Sequence, residues 1–437
     1  MQENQNQTPN TTDNEKRING KKILTVIIAV LLFSLTFLGG YLSSYLFRSK
    51  PNSTAFDIIK LMEQVGYIYD PVTGEEREIT QEEIGDALVN AYLDQYSAYF
   101  TEQEYNDYQS QGAGNHRGVG VAFYSNLPVV DQVIGNSPAE KAGLRKGDIL
   151  LSGKSGETGE VITFTTSQNA VDFIASADDS LDIYFEGERA GEKFTIKLKK
   201  SEYVCSYVWY YDSEKKLNFS SSGKEKPQPT YSENTEKIIN SDKIAYIRLS
   251  SFEGDSFEQM ERALSYMKER GRTRLVLDLI DNGGGYMDIA TKIASCFINN
   301  GGARNSVVAV SKGKTGENVF YTDKNRFFSH IEKMCVLANE NTASASECLL
   351  GVLVHYKDLL KSESDVILEK NAQNQYKTYG KGIMQTTYKL LSGGALKLTT
   401  AKIYWPDYKS SIHGVGFTNG THADKGRAFS VALEKLA

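Results

Sequence analysis

Met334-Cys-Val-Leu-Ala-Asn-Glu-Asn-Thr-Ala-Ser-Ala-Ser-Glu347 sets an apolar run against a turn of small and polar residues and then the start of a helix. That order predicts a strand, a tight turn and a helix N-terminus in immediate succession. A hydroxyl carried on such a turn sits where backbone N–H groups and the helix dipole favour developing negative charge. The same residues, Ser344-Ala-Ser-Glu347, also read as a capping box, which any helix can use, so the stretch alone does not separate a nucleophile from a cap.

Working outward, strands alternate with helices. Ile244 to Leu249, Leu275 to Ile280, Val307 to Val310 and Met334 to Ala338 read as strands, while Phe257 to Arg270, Met287 to Phe297 and Ser346 to Leu359 read as helices. The alternation predicts an α/β core with substantial parallel pairing. Upstream, Gly118 to about Tyr203 changes to short β-like runs separated by Gly and Asp turns, with one helical stretch from Gln168 to Ala177. Phe56 to Tyr108 carries apolar residues at helical spacing, and the hydrophilic Asp212 to Asp242 reads as a linker or insertion. Residues 1–20, rich in Asn, Gln and Thr, cannot bury a core and are expected to be disordered.

Ile23 to Phe47 is about 25 residues of apolar character without a charge, enough for a bilayer core that needs ~20. A single N-terminal transmembrane helix is expected. Lys16, Arg17, Lys21 and Lys22 before it, against Arg48 and Lys50 after it, favour a cytoplasmic tail and an extracytoplasmic body. The chain of 437 residues is 40% hydrophobic and 24% charged, with a net charge of −6, so it reads as globular and offers polyanions no general attraction. Nucleic acid is not an expected partner. Cys205, Cys296, Cys335 and Cys348 are scattered without close pairs, so buried apolar roles are expected rather than a zinc site or disulfide framework.

Two further segments bear on chemistry. Asp278-Leu-Ile-Asp-Asn-Gly-Gly-Gly285 follows a strand and offers glycines whose N–H groups a carbonyl can approach closely. Thr378-Tyr-Gly-Lys-Gly-Ile-Met-Gln385 places a lysine between two glycines, directed inward on this reading, although an exposed turn is the default for a lone lysine.

Together these segments resemble the C-terminal processing peptidases, or tail-specific proteases. Thr342 to Glu347 is similar to the nucleophile segment of that family, Tyr379-Gly-Lys-Gly-Ile-Met-Gln385 to its base segment, and Asp278 to Gly285 to its glycine turn. Arg117-Gly-Val-Gly-Val-Ala122 and Asn136-Ser-Pro-Ala-Glu-Lys-Ala-Gly-Leu-Arg-Lys-Gly-Asp-Ile149 resemble stretches of its PDZ domains, and Asp94-Gln-Tyr-Ser-Ala-Tyr-Phe100 a recurring signature ahead of them. The resemblance implies a multidomain α/β (α+β) protein with a peptidase core of the crotonase/Clp-protease-like tail-specific type. It implies divisions at 1–20 (tail), 21–48 (anchor), 55–112 (helical), 113–203 (PDZ), 204–242 (linker or insertion) and 243–437 (core). Ser344 is the implied nucleophile, Lys381 its base and Gln385 the amide that orients the base, with Gly284 and Ala345 as oxyanion donors. Gly118, Val119, Gly120, Val121, Val171 and Ile174 are the implied peptide groove. No cofactor or metal is implied. The expected partners are protein C-terminal tails, the membrane through residues 23–47 and, in any assembly, further copies of the chain. A catalytically inactive PDZ scaffold in the membrane is the alternative.

Three departures stand out. Lys381 follows Ser344 by 37 positions, about a dozen more than the resemblance implies, with the excess in Lys370 to Lys377. Ile280 stands where the resemblance implies an arginine, and Phe417-Thr-Asn-Gly420 departs from the expected final strand. A lysine base must also be neutral, which requires lowering its pKa from about 10.4 by roughly three units, near 4 kcal/mol, so a dry pocket is a requirement of the mechanism.

Overall fold

The computed structural model describes residues 53–65, 68, 72–73, 75, 77–124, 126–220, 228–231, 239–299, 306–323, 326–391 and 393–437. The chain divides into two compact units, residues 1–84 and 85–437. The described part of the first holds the helix Ser53–Val65. The expected anchor, Ile23 to Phe47, lies outside the described residues, and among those residues no helix is long and apolar enough to cross a membrane.

Nearly continuous apolar runs, such as Ile244 to Ile247 and Met334 to Ala338, call for burial on both faces of a sheet, and both are buried. Ile244–Leu249, Arg274–Asp278, Lys333–Ala338, Val366–Glu369 and Thr421–Ala423 lie side by side as parallel strands. Ala245, Ile247, Leu249, Leu275 and Leu277 face a core shared with the helices Ser256–Glu269, Met287–Ser295 and Ala345–Tyr356. Ile244, Tyr246 and Val276 face the opposite way, onto Ala428, Ala432 and Leu436 of the helix Ala428–Leu436. Since Arg274–Asp278 and Lys333–Ala338 are parallel neighbours, the glycine turn and the serine turn leave the sheet next to each other at its carboxyl end.

Within 204–242, expected as a linker or insertion, the described residues include three strands that extend this sheet. Val208–Tyr211, Lys216–Ser220 and Gln228–Tyr231 add antiparallel strands beyond Ile244–Leu249. Val208, Trp209, Tyr210 and Tyr211 are all buried, and the polar residues that follow conceal that from a reading of composition. The four cysteines are buried and unpaired.

A second, antiparallel sheet contains Ala98–Phe100, Ala395–Tyr404, Val307–Gly313 and Gly316–Tyr321, with Ile383–Lys389 also paired to Ala395–Tyr404. It reaches the core helix through Trp405. A Cβ on Gly351, midway along Ala345–Tyr356, would lie 2.6 Å from the Trp405 indole, so only glycine permits this approach. Cys348, Ala309 and Ile403 complete the contact.

Residues 115–204 form a β-rich module with its own core of Val119, Val130, Leu150, Phe164, Phe173, Ile183 and Phe185. The stretch from Asn115 to Phe123 forms two strands, Asn115–Gly118 and Val121–Phe123, which pair with different partners. Ile149–Ser155, Ile162–Thr163, Ile183–Arg189 and Glu192–Leu198 make a four-stranded sheet, and Ser167–Ser176 is the helix.

The Gly351 contact yields a test. Gly351→Val should overpack the junction, lowering stability by about 1–3 kcal/mol in a denaturant melt, while Gly351→Ala should cost less than Gly351→Val.

Candidate active site

The serine turn is fixed by hydrogen bonds to the glycine turn before any side-chain chemistry is considered. Thr342 Oγ1 donates to the Leu279 carbonyl at 2.8 Å, the Ala343 N–H donates to Asn282 O at 3.0 Å, and Ser346 Oγ donates to the same carbonyl at 2.9 Å. Ser344 itself adopts φ 57°, ψ −115°, a backbone region that costs a non-glycine residue of order 1–3 kcal/mol and persists only where the surroundings enforce it. It is half-buried at the N-terminus of Ala345–Tyr356.

Glu347 joins the two candidate halves. Its side chain is fully buried. Oε2 accepts the N–H of Ser344 at 3.0 Å and that of Lys381 at 2.9 Å, while Oε1 accepts the Gly380 N–H at 2.8 Å and the Thr378 hydroxyl at 2.5 Å. Burial raises the Glu347 pKa, and these four donors oppose the rise. The residue reads from sequence only as the acidic end of a capping box; the segment around Lys381, distant in sequence, supplies its other donors.

The Lys381 side chain is half-buried, with Nζ 4.7 Å from the centroid of the Tyr96 ring. Burial lowers its pKa, as does the Lys397 ammonium, against the opposing pull of the Asp94 carboxylate. The Tyr96 ring favours the charged form. Its hydroxyl donates to Tyr379 Oη at 3.1 Å, and Ser97 ties the Asp94 turn to the second sheet by accepting from the Thr399 N–H at 3.3 Å. Among the described residues no hydrogen bond joins Lys381 Nζ to Ser344 or to Gln385.

Gln385 and Gly284 depart from expectation. Gln385 lies opposite Thr399 just past a register shift, and its Nε2 donates to Thr399 Oγ1 at 2.9 Å rather than to Lys381. The Gly284 N–H donates to Asn282 Oδ1 at 2.9 Å, because Asn282 Nδ2 is held by the Leu249 carbonyl at 2.9 Å and turns its oxygen toward Gly284. No hydrogen bond engages the Ala345 N–H among the described residues. A Cβ on Gly284 would stand 2.8 Å from that nitrogen and 2.9 Å from Ser344 Cβ, so the absent side chain leaves the space in front of the Ala345 N–H open.

The β-rich module reaches the same turn through Lys146, whose Nζ lies 2.8 Å from Asp281 Oδ2 and 3.3 Å from Asp131 Oδ1. Burial raises the Asp281 carboxyl, but Lys146 and the amides of Asn339 and Asn341 outweigh it and hold the pKa at about 2. In the implied groove, Val119 is core, Val171 is 45% exposed and Ile174 packs partly against the module core. The Gly120 carbonyl accepts from Ile134, while no hydrogen bond engages the N–H groups of Val119 and Gly120 among the described residues. The extra residues between Ser344 and Lys381 fold locally. Asn371 Oδ1 accepts from the N–H groups of Gln373 and Gln375, and Tyr376 stacks on His422 with ring centroids 4.0 Å apart.

Adjacent parallel strands that deliver a glycine turn against a strained serine at a helix N-terminus define the class: residues 243–359 match the model of Peptidase family S41. That match lies in the core, and over most of its length the chain is similar to proteins described as CtpA-like serine proteases. It is 26% identical over 338 residues to a probable CtpA-like serine protease of Staphylococcus aureus strain N315, covering 76% of this chain. The match spans 57% of that relative's length. A probable CtpA-like serine protease of Staphylococcus saprophyticus is 25% identical over 428 residues, 94% of this chain and 76% of that one. Among solved structures, the photosystem II D1 C-terminal processing protease is 20% identical with a TM-score of 0.46, covering 76% of this chain and 78% of that one. A putative S41 protease from Bacteroides fragilis is 14% identical with a TM-score of 0.44, covering 87% and 96%.

Removing the shared anion should uncouple the site. Glu347→Ala is expected to lower stability by about 3 kcal/mol or more, since buried donors lose their acceptor, and to abolish labelling of Ser344 by a fluorophosphonate. Gly284→Ala should lower the melt too, because its Cβ would meet backbone atoms at 2.8 Å at φ 101°, and should cut labelling at least about tenfold, the usual order for an obstructed oxyanion donor.

Proposed function

We propose that this chain is a serine endopeptidase that cuts protein substrates near their C-termini, with Ser344 as nucleophile and Lys381 as general base. The single observation that carries the reading is the buried Glu347 carboxylate, which accepts the N–H groups of both residues and so fixes their backbones to one point. In the proposed reaction Lys381 Nζ, uncharged, leaves the Tyr96 ring and takes the Ser344 hydroxyl proton as Oγ attacks the scissile carbonyl. The tetrahedral oxyanion is held by the Ala345 N–H, with the Gly284 N–H exchanging Asn282 for the substrate oxygen. Lys381 then returns the proton to the leaving amine, and water releases the acyl group by the same path. Gln385 contributes by bracing the strand behind Lys381 through Thr399.

Residues 113–203 act, on this reading, as a PDZ domain that captures C-terminal tails. The unengaged N–H groups of Val119 and Gly120 suit a terminal carboxylate, and Val121 with Val171 and Ile174 would border the added strand. The Lys146 to Asp281 ion pair gives that domain a direct hold on the glycine turn. The anchor at residues 23–47 would place the whole assembly on the outer face of a cell membrane. A catalytically inactive PDZ scaffold is the second reading, and the Gly284 N–H committed to Asn282 favours it; Ser344-dependent fluorophosphonate labelling of the full chain rejects it, with Ser344→Ala as control.

Three outcomes test the proposal. Because burial depresses the Lys381 pKa, kcat/KM should rise with pH and level off below the pH at which an ordinary lysine, near 10.4, loses its proton. Tyr96→Leu, which removes a ring that favours the ammonium, should move that limb to lower pH. Amidating the substrate C-terminus should reduce kcat/KM by about tenfold or more, the order of one lost charged contact; equal rates for acid and amide would remove tail capture.

A further inference from the structure

A cavity of about 370 Å³ opens beside the nucleophile turn, between the β-rich module and the core. One wall is Gly283 to Gly285, whose middle member lies against Ser344, and the other is the module segment Gln132 to Gly135. The cavity thus lies next to Ser344, the distance of one glycine away.

The lining is polar and incompletely satisfied. Ser206 is 1% exposed and its hydroxyl has no hydrogen-bond partner, nor has the buried Nε2 of His116, and both residues line the cavity. Glu253 also lines the cavity, and among the described residues no lysine or arginine pairs with it. Burial raises its pKa, with a Ser251 hydrogen bond as the opposing influence, which is the signature of a carboxylate lacking a counter-charge. The other acid in the wall, Asp281, already has Lys146 and two asparagines. Among the described residues no cluster of His, Cys, Asp and Glu could hold a metal ion, so Glu253 is not part of a metal site.

We propose that this cavity is a substrate subsite for a basic side chain, lysine or arginine, with Glu253 as its counter-ion and Ser206 and His116 as neutral acceptors. An ammonium brings three donors and no acceptor, matching a wall that offers a carboxylate, a hydroxyl and an unprotonated ring nitrogen. An acidic side chain would face Glu253 unscreened, and an apolar one would leave all three groups unsatisfied. The inference rests on the peptidase reading and adds to it a preference for basic residues near the cut.

The test uses the full chain and peptides identical except for Lys or Met at one position, walked along the sequence. Cleavage is measured with the unmodified protein and Glu253→Gln, and binding by fluorescence anisotropy with Ser344→Ala and Ser344→Ala/Glu253→Gln. At one position the Lys peptide should be favoured about tenfold, the order of one charged hydrogen bond, and Glu253→Gln should bring the ratio near one, whereas a merely structural defect would lower both peptides together. Glu253→Asp should keep the sign of the preference. Cleavage with no Lys preference, or a preference that survives Glu253→Gln, overturns the subsite and leaves the peptidase standing. Glu253-dependent binding without cleavage by the unmodified protein keeps the subsite and overturns the peptidase. Neither cleavage nor Glu253-dependent binding overturns both.

Discussion

A carboxylate with no exposed surface is tolerated only where donors surround it, and Glu347 has four. They come from the serine turn and from the Thr378 to Lys381 segment, which approach from different sheets. Leaving any of these donors, or the anion itself, without a partner would cost several kcal/mol, so the two segments are held together by a penalty on separation rather than by contact between the reacting side chains. Backbone placement is therefore firm while the Lys381 side chain keeps its freedom. That division suits a base which must change partner during a reaction.

The remaining architecture serves the same junction. The parallel sheet sets the glycine and serine turns side by side. The antiparallel sheet bearing Lys381 closes on the serine-bearing helix only because Gly351 admits the Trp405 ring. From the other direction Lys146 grips Asp281, three residues before Gly284, which lies against Ser344. Three parts of the chain thus converge on a turn of a few residues. A shift in any one is transmitted by packed atoms and ion pairs, the physical route that the proposed tail capture would use.

The core strands were legible because burial on both sheet faces writes continuous apolar runs, and the helices between them because their apolar residues recur at helical spacing; the bounds agree within a few residues. Val208 to Tyr211 fell within the division 204–242 that the resemblance implied as linker or insertion, yet its four residues are buried in a strand of the main sheet. Gln385 and Gly284 show a different limit. Both were assigned through resemblance, yet each meets a nearer partner, Thr399 across a strand and Asn282 two residues back. Which of two available acceptors a donor takes depends on positions that no motif encodes.

By itself the sequence determined the alternating strands and helices of the core, the apolar run at residues 23–47, and the short list of residues able to do chemistry, because periodicity and residue type are local properties. Tertiary structure alone decided that Glu347 serves two segments, that Lys381 rests against Tyr96, and that Glu253 lines a cavity where no lysine or arginine among the described residues pairs with it. Each of those depends on the meeting of residues far apart in the chain, where burial and the demand for hydrogen-bond partners, rather than propensity, settle the outcome.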